Sequence, residues 1–261
     1  MSRRLEPSYP GCLCRRGSAL VGHYSWAMNS TPPAASGEQI VTPQTAGVSA
    51  DHPGVDKLFA LLAYGEVAAF YRLTDEARMA PNLRGRINMA CMAAAEMNHY
   101  ELLREAMERR GVDVVPAMTN YASALENYHR LTTPSTWLEA LVKTYVGDAL
   151  AADFYTEIAA ALPDEVAAVV RGVLAETGHS QFVVAEVRAA VTASDRQRHR
   201  LALWSRRLLG EAITQAQYVL ADHDELVDLV MAGGEGLTQV AGFFDRLQQT
   251  HRARMQELGL A

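Results

Sequence analysis

The chain has 261 residues, 49% of them hydrophobic and 21% charged, enough apolar material for one sizeable core and too much for a wholly disordered polymer. No uninterrupted apolar run of about 18 residues marks a membrane span. Three cysteines (Cys12, Cys14 and Cys91) do not make a disulfide scaffold, so a reducing cytoplasmic setting is expected. A formal charge of −6 excludes a globally basic nucleic-acid binder; RNA contact requires a local patch.

Residues 1–50 carry Pro7, Pro10, Pro32, Pro33 and Pro43 among clustered Ser, Thr and Gly, without periodicity, and are expected to be a disordered extension. Their first 27 residues hold Arg3, Arg4, Arg15 and Arg16 against Glu6 alone, superficially like a targeting peptide. Met28 is an alternative start, which leaves open whether residues 1–27 belong to the mature protein. Residues 51–261 read as one helical domain, rich in Ala, Leu, Arg, Glu and Met. The first long helix is expected from Asp51 to Ala80, ahead of Pro81, and the second from Pro81 to Arg110, closed by Gly111. A connection over 112–133 holds a short helix near Tyr121–His129. The third long helix follows Thr133-Pro134-Ser135 and reaches Ala161; the fourth opens at Pro163 and reaches about Ala193. A fifth spans Arg196–Ala221, and a sixth Leu237–Leu258 follows the flexible Gly233-Gly234-Glu235-Gly236. Four long helices in two hairpins, with a crossover and accessory C-terminal helices, describe an all-α four-helix bundle.

Each long helix has an apolar stripe at i, i+3, i+4, i+7 that is interrupted by charge. Phe59, Leu62, Ala63, Phe70 and Leu73 share a face with Glu66; Met89, Met92, Ala93 and Leu103 with Glu96 and His99; Leu141, Ala152 and Tyr155 with Asp148; and Val169, Val173, Val183 and Val187 with Glu176 and His179. An isolated buried carboxylate costs several kcal/mol or more, and divalent cations supply the compensating charge. Glu66 precedes the first Glu-x-x-His pair by 30 residues and Asp148 precedes the second by 28. Two hairpins each giving a carboxylate and then Glu-x-x-His are the ligand set of a dinuclear metal site. With 18 glutamates and eight histidines, chance gives roughly half a Glu-x-x-His match; the chain has three. The third, Glu126 and His129, lies on a largely polar face (Thr119, Ala122, Ser123, Thr133) and is expected to be a solvated surface pair.

The stretch Ala95-Glu96-Met97-Asn98-His99-Tyr100-Glu101-Leu102-Leu103 through Arg109-Arg110-Gly111-Val112 resembles the second helix of the tRNA 2-methylthio-N6-isopentenyladenosine hydroxylases. Gly147-Asp148-Ala149 through Asp153-Phe154-Tyr155, and Leu174-Ala175-Glu176-Thr177-Gly178-His179, resemble the third and fourth. The likeness covers about residues 55–220 and is nearest to a divergent ferritin-like branch grouped with those hydroxylases. It implies a ferritin-like bundle holding two iron ions, with manganese as the alternative, and Glu66, Glu96, His99, Asp148, Glu176 and His179 as ligands, Glu96 and Glu176 bridging. It further implies a non-haem di-iron monooxygenase that takes O2 and electrons from a donor and hydroxylates the isopentenyl group of a modified tRNA adenosine. Asp148 stands where that family has Glu, and its side chain is one methylene shorter.

An RNA partner needs cations, and Arg196, Arg198, Arg200, Arg206 and Arg207, with His199, are the candidate phosphate contacts; a solvated helix end is the competing reading. Trp137 and Trp204 suit either base stacking or interhelical packing. Tyr64, Tyr145 and Tyr155 lie near ligand positions in sequence and suit hydrogen bonds to them or ordinary core packing. The competing functions are another ferritin-like chemistry (peroxide reduction, manganese catalase activity or iron oxidation) and a metal-free helical protein.

Overall fold

Interrupted apolar stripes of this length can be buried only against one another, and the computed structural model has that arrangement. It describes residues 48–174, 180–232 and 237–261; side chains are described for these except at 180 and 237–241. The expected N-terminal extension (its first 47 residues), Glu176, His179 and the Gly233–Gly236 turn lie outside the described residues.

Ten α-helices and no strand occur among the described residues: α1 Pro53–Glu76, α2 Leu83–Arg109, α3 Val114–Thr119, α4 Ala122–Leu131, α5 Trp137–Ala159, α6 Asp164–Val173, α7 Ser180–Ala193, α8 Asp195–Asp222, α9 Asp224–Met231 and α10 Leu237–Leu258. Their ends follow capping chemistry. Pro53 opens α1, where His52 Nδ1 accepts from Gly54 N at 3.0 Å. Asn82 accepts from Gly85 N at 2.8 Å to start α2, Thr136 from Glu139 N at 3.3 Å to start α5, and Ser194 from Gln197 N at 3.3 Å to start α8. At the end of α2, Gly111 adopts φ +75°, a left-handed turn that a side chain disfavours.

The α1–α2 hairpin packs against α5 and its returning partner, while α3 and α4 make the crossover. That partner is two helices rather than the single helix expected from 163 to 193: α6 ends at Val173, Leu174 is a turn, and α7 begins at Ser180. Val166, Val170 and Val173 of α6 join one core cluster with Leu58, Leu62 and Ile158. Val183, Val187 and Val191 of α7 join a second with Leu73, Met89 and Leu141. Each fully buried Val or Leu stabilises by about 1.5–3 kcal/mol relative to exposure. The accessory helices cover the bundle: α8 lies on α4, α5 and α7, α9 on α1, and α10 on α5 and α8. The eight-residue α9 was not expected from the sequence; its Leu226, Leu229 and Val230 are buried. No described helix is long and apolar enough to cross a membrane.

Candidate metal centre

Glu66 sits midway along α1, and Glu96 and His99 occupy one face of α2, so the antiparallel hairpin brings the three together. His99 Nδ1 lies 3.3 Å from Glu66 Oε2 and 3.4 Å from Glu96 Oε2. One donor atom from each residue lies within 4.8 Å of the others. Their side chains keep 13%, 15% and 17% of their surface in the order Glu66, Glu96, His99. Proximity splits the two carboxyls. Burial pushes Glu66 well above the usual range, helped by Glu96. Burial also acts upward on Glu96, but hydrogen bonds with His99 and Glu66 outweigh it and hold Glu96 low. Hydrogen bonds to Glu66 and then Glu96 push His99 up to about 10 against its own desolvation. Two hard carboxylate donors and one imidazole, clustered and shielded from bulk solvent, fit iron or manganese. A cation there replaces the protons that otherwise balance the cluster.

The triad lines a cavity of about 570 Å³ whose opposite wall comes from α4 and α5. Asp148, the predicted ligand on α5, is in that wall. Its side chain is 42% accessible, but that surface lines the cavity, and burial among protein groups pushes its pKa up to about 7 against the pull of Arg72. Asp148 is therefore not an uncompensated carboxylate: Arg72 Nη2 lies 3.4 Å from its Oδ1. The same guanidinium donates at 3.0 Å to Glu76 Oε2 and at 3.0 Å to Thr144 Oγ1, and Lys143 Nζ stands 3.7 Å from Glu76 Oε1. Sequence reasoning missed this ion cluster. Glu76 continues the α1 stripe three residues beyond Leu73, and Lys143 interrupts the apolar run from Ala140 to Val146; both were available signals.

The third Glu-x-x-His is not a surface pair. Glu126 is exposed and accepts from Tyr64 Oη at 2.6 Å, whereas His129 turns to the cavity beside Tyr128. Since α4 is packed against α1 and α8, burial, then Arg72 and Lys143, hold His129 down to about 2. Of the tyrosines near ligand positions, Tyr145 and Tyr155 line the cavity and Tyr64 does not. The tryptophans pack: Trp204 Nε1 donates to Glu139 O at 3.0 Å, and Trp137 stacks obliquely on Phe182 at 6.3 Å. The five arginines of α8 stand outside the cavity wall. Arg198 pairs with Asp195 at 2.7 Å, Arg200 with Glu139 at 2.9 Å, and Arg207 donates to Leu131 O at 2.6 Å; Arg196 and Arg206 are exposed.

An all-α bundle whose paired helices turn Glu and His inward defines the ferritin-like class. The family model described as the ferritin-like domain of actinomycetes matches residues 51–233, more than half of the chain, and the protein belongs to that family. No curated protein matches the chain.

Proposed function

We propose that this protein is a metal-dependent oxidoreductase of the ferritin-like class, a non-haem di-iron monooxygenase. The observation that carries the reading is the convergence of Glu66, Glu96 and His99 on one point at the edge of a cavity large enough for an organic substrate. These three residues would hold one metal ion; the resemblance assigns the donors for a second to Asp148, Glu176 and His179, and Asp148 would have to exchange its ion pair with Arg72 for the metal. Iron bound there supplies the electrons and Lewis acidity that activate O2.

The residues around the site have separate tasks. Glu66, Glu96 and His99 hold one another through shared protons, which an entering metal ion would displace. Arg72 of α1 and Lys143 of α5 neutralise Glu76 and Asp148, so the cavity as a whole is not prohibitively anionic. Apolar packing of Leu62, Met92 and Val183 into the cavity wall restricts water. In the narrowest form of the proposal, inferred from the resemblance, the substrate is the isopentenyl group of a modified tRNA adenosine, with Arg196 and Arg206 of α8 free to meet phosphates.

Anaerobic loading of the purified protein with ferrous iron, followed by metal analysis, tests the class. Uptake of two ions per chain is the expected result, and less than about one equivalent overturns the metal reading. Nucleoside analysis of tRNA from a strain lacking the protein tests the substrate. Loss of the hydroxylated adenosine supports tRNA, and an unchanged profile removes it.

A further inference from the structure

We propose that the cavity takes a small, uncharged amphiphile, whose apolar end lodges in a side pocket between α4, α5 and α8 and whose polar group is received by the hydroxyl of Tyr128. The proposal rests on the reading of this cavity as a reaction site.

The side pocket has a volume of about 140 Å³, and its walls are largely apolar, with Leu61, Leu150, Phe154 and Val219 among them. It shares Leu125, Tyr128, Gly147, Ala151 and Tyr155 with the cavity that the triad lines, so the two spaces adjoin along α5. Gly147, Ala151 and Tyr155 recur every four residues on one face of α5, and two of them are small, which leaves the passage open. Apolar cavities of about 150 Å³ stay dry and accept benzene, so the pocket suits a unit of about six carbons.

The one feature at the junction that apolar packing does not explain is Tyr128. It is 8% exposed, and its Oη has no hydrogen-bond partner among the described residues. A Cβ built on Gly147 would lie 3.7 Å from that oxygen, which places the hydroxyl against the glycine at the passage. A buried hydroxyl left unpaired costs about 1–3 kcal/mol, a cost removed by an entering group that accepts its proton. Charge on the ligand is not called for. Arg72 and Lys143, cations that line the cavity, already face Glu76 and Asp148, and Lys143 Nζ also approaches His129 O at 3.4 Å. The chemistry selects an alcohol, ether or amide, and Tyr128 acts as a positioning residue.

Equilibrium titration of the metal-free full chain with benzyl alcohol, toluene and benzoate tests this, alongside Tyr128→Phe and Ala216→Trp. The second variant fills the pocket from α8; Ala216→Leu replaces it if it melts below the wild type. Benzyl alcohol is expected to bind more tightly than either comparison probe. Tyr128→Phe should weaken it by about five- to tenfold and leave toluene unchanged, and the α8 variant should weaken both at least about tenfold. No binding to the wild type, tighter binding of benzoate, or indifference of benzyl alcohol to Tyr128→Phe overturns the proposal. Metal content of the same preparations separates the two readings. Normal loading without probe binding sinks only the pocket, whereas probe binding without loading sinks only the metal centre.

Discussion

Arg72 and Asp148, 76 residues apart in sequence, meet inside the bundle with Nη2 3.4 Å from Oδ1. The contact makes the two ends of the cavity electrostatically unequal. At one end of the cavity, Arg72 and Glu76 of α1 meet Lys143 and Asp148 of α5; at the other, Glu66 of α1 and Glu96 of α2 have, among the described residues, only the His99 imidazole as an ion-pair partner. A cation entering the cavity is drawn to the end whose carboxylates lack a permanent partner.

Metal content of alanine variants follows from that asymmetry. Glu96→Ala removes a carboxylate whose ion-pair partner is His99, itself a candidate ligand, and should abolish loading. Glu126→Ala removes an exposed group engaged with Tyr64 and should leave loading intact. Elemental analysis after reconstitution reads both, and equal metal in the two variants would contradict the ligand assignment.

Arg72→Met should be strongly destabilising. Its guanidinium side chain is 8% exposed and serves Glu76, Thr144 and Asp148 at once. Removing one partner of a buried ion cluster leaves the others uncompensated, at a cost of about 3–5 kcal/mol. Urea unfolding measures the loss, and adding Glu76→Gln and Asp148→Asn should restore part of it. A midpoint unchanged by Arg72→Met would mean that the cluster is solvated.

The helical pattern made the bundle legible because apolar spacing and capping residues act locally: Gly111, Asn82 and Thr136 sit where the helices end or begin. Glu66, Glu96 and His99 were legible for the same reason, each lying on an apolar stripe. Arg72 was not, since it lies off the stripe that carries Glu66 and meets its partners Thr144 and Asp148 only across the packing of α1 on α5. His129 was misread because the sequence gives the polarity of α4's faces but not the helix that covers them; packing against α1 and α8 turns the imidazole inward. The division of the fourth rod into α6 and α7 was not legible, because Val169, Val173, Val183 and Val187 read as one stripe.

Acid should destabilise the protein through His251. This residue of α10 is 4% exposed, both ring nitrogens lack partners among the described residues, and burial, then Arg254, hold it down to about 4. Its folded value lies below the unfolded value of about 6.5, so the unfolded chain takes up a proton that the folded chain refuses. The penalty is absent above pH 6.5, grows as pH falls towards 4, and levels off below that. Between pH 7 and pH 5 it reaches about 2 kcal/mol. Urea unfolding of His251→Leu at both pH values should show a shallower loss than the wild type by that amount. Parallel losses in the two proteins would assign the acid sensitivity elsewhere.

A polar seam fastens α10 to α5, and breaking it should loosen the C-terminal helix before the bundle. Arg246 forks onto Glu157 at 2.5 and 2.8 Å, and Arg254 onto Asp153 at 2.5 and 2.6 Å. Thr250 donates to Asp153 at 2.7 Å, and Tyr145 to Glu257 at 2.5 Å. Positions 246, 250, 254 and 257 share one face of α10. Because Arg254 and Glu257 also line the cavity, the seam couples the covering helix to the site. Arg254→Met removes a two-pronged, partly buried pair and should cost about 1–2 kcal/mol. Hydrogen exchange should accelerate in α10 while α1 and α2 keep their protection. Uniform acceleration across all helices would mean that α10 unfolds only with the whole bundle.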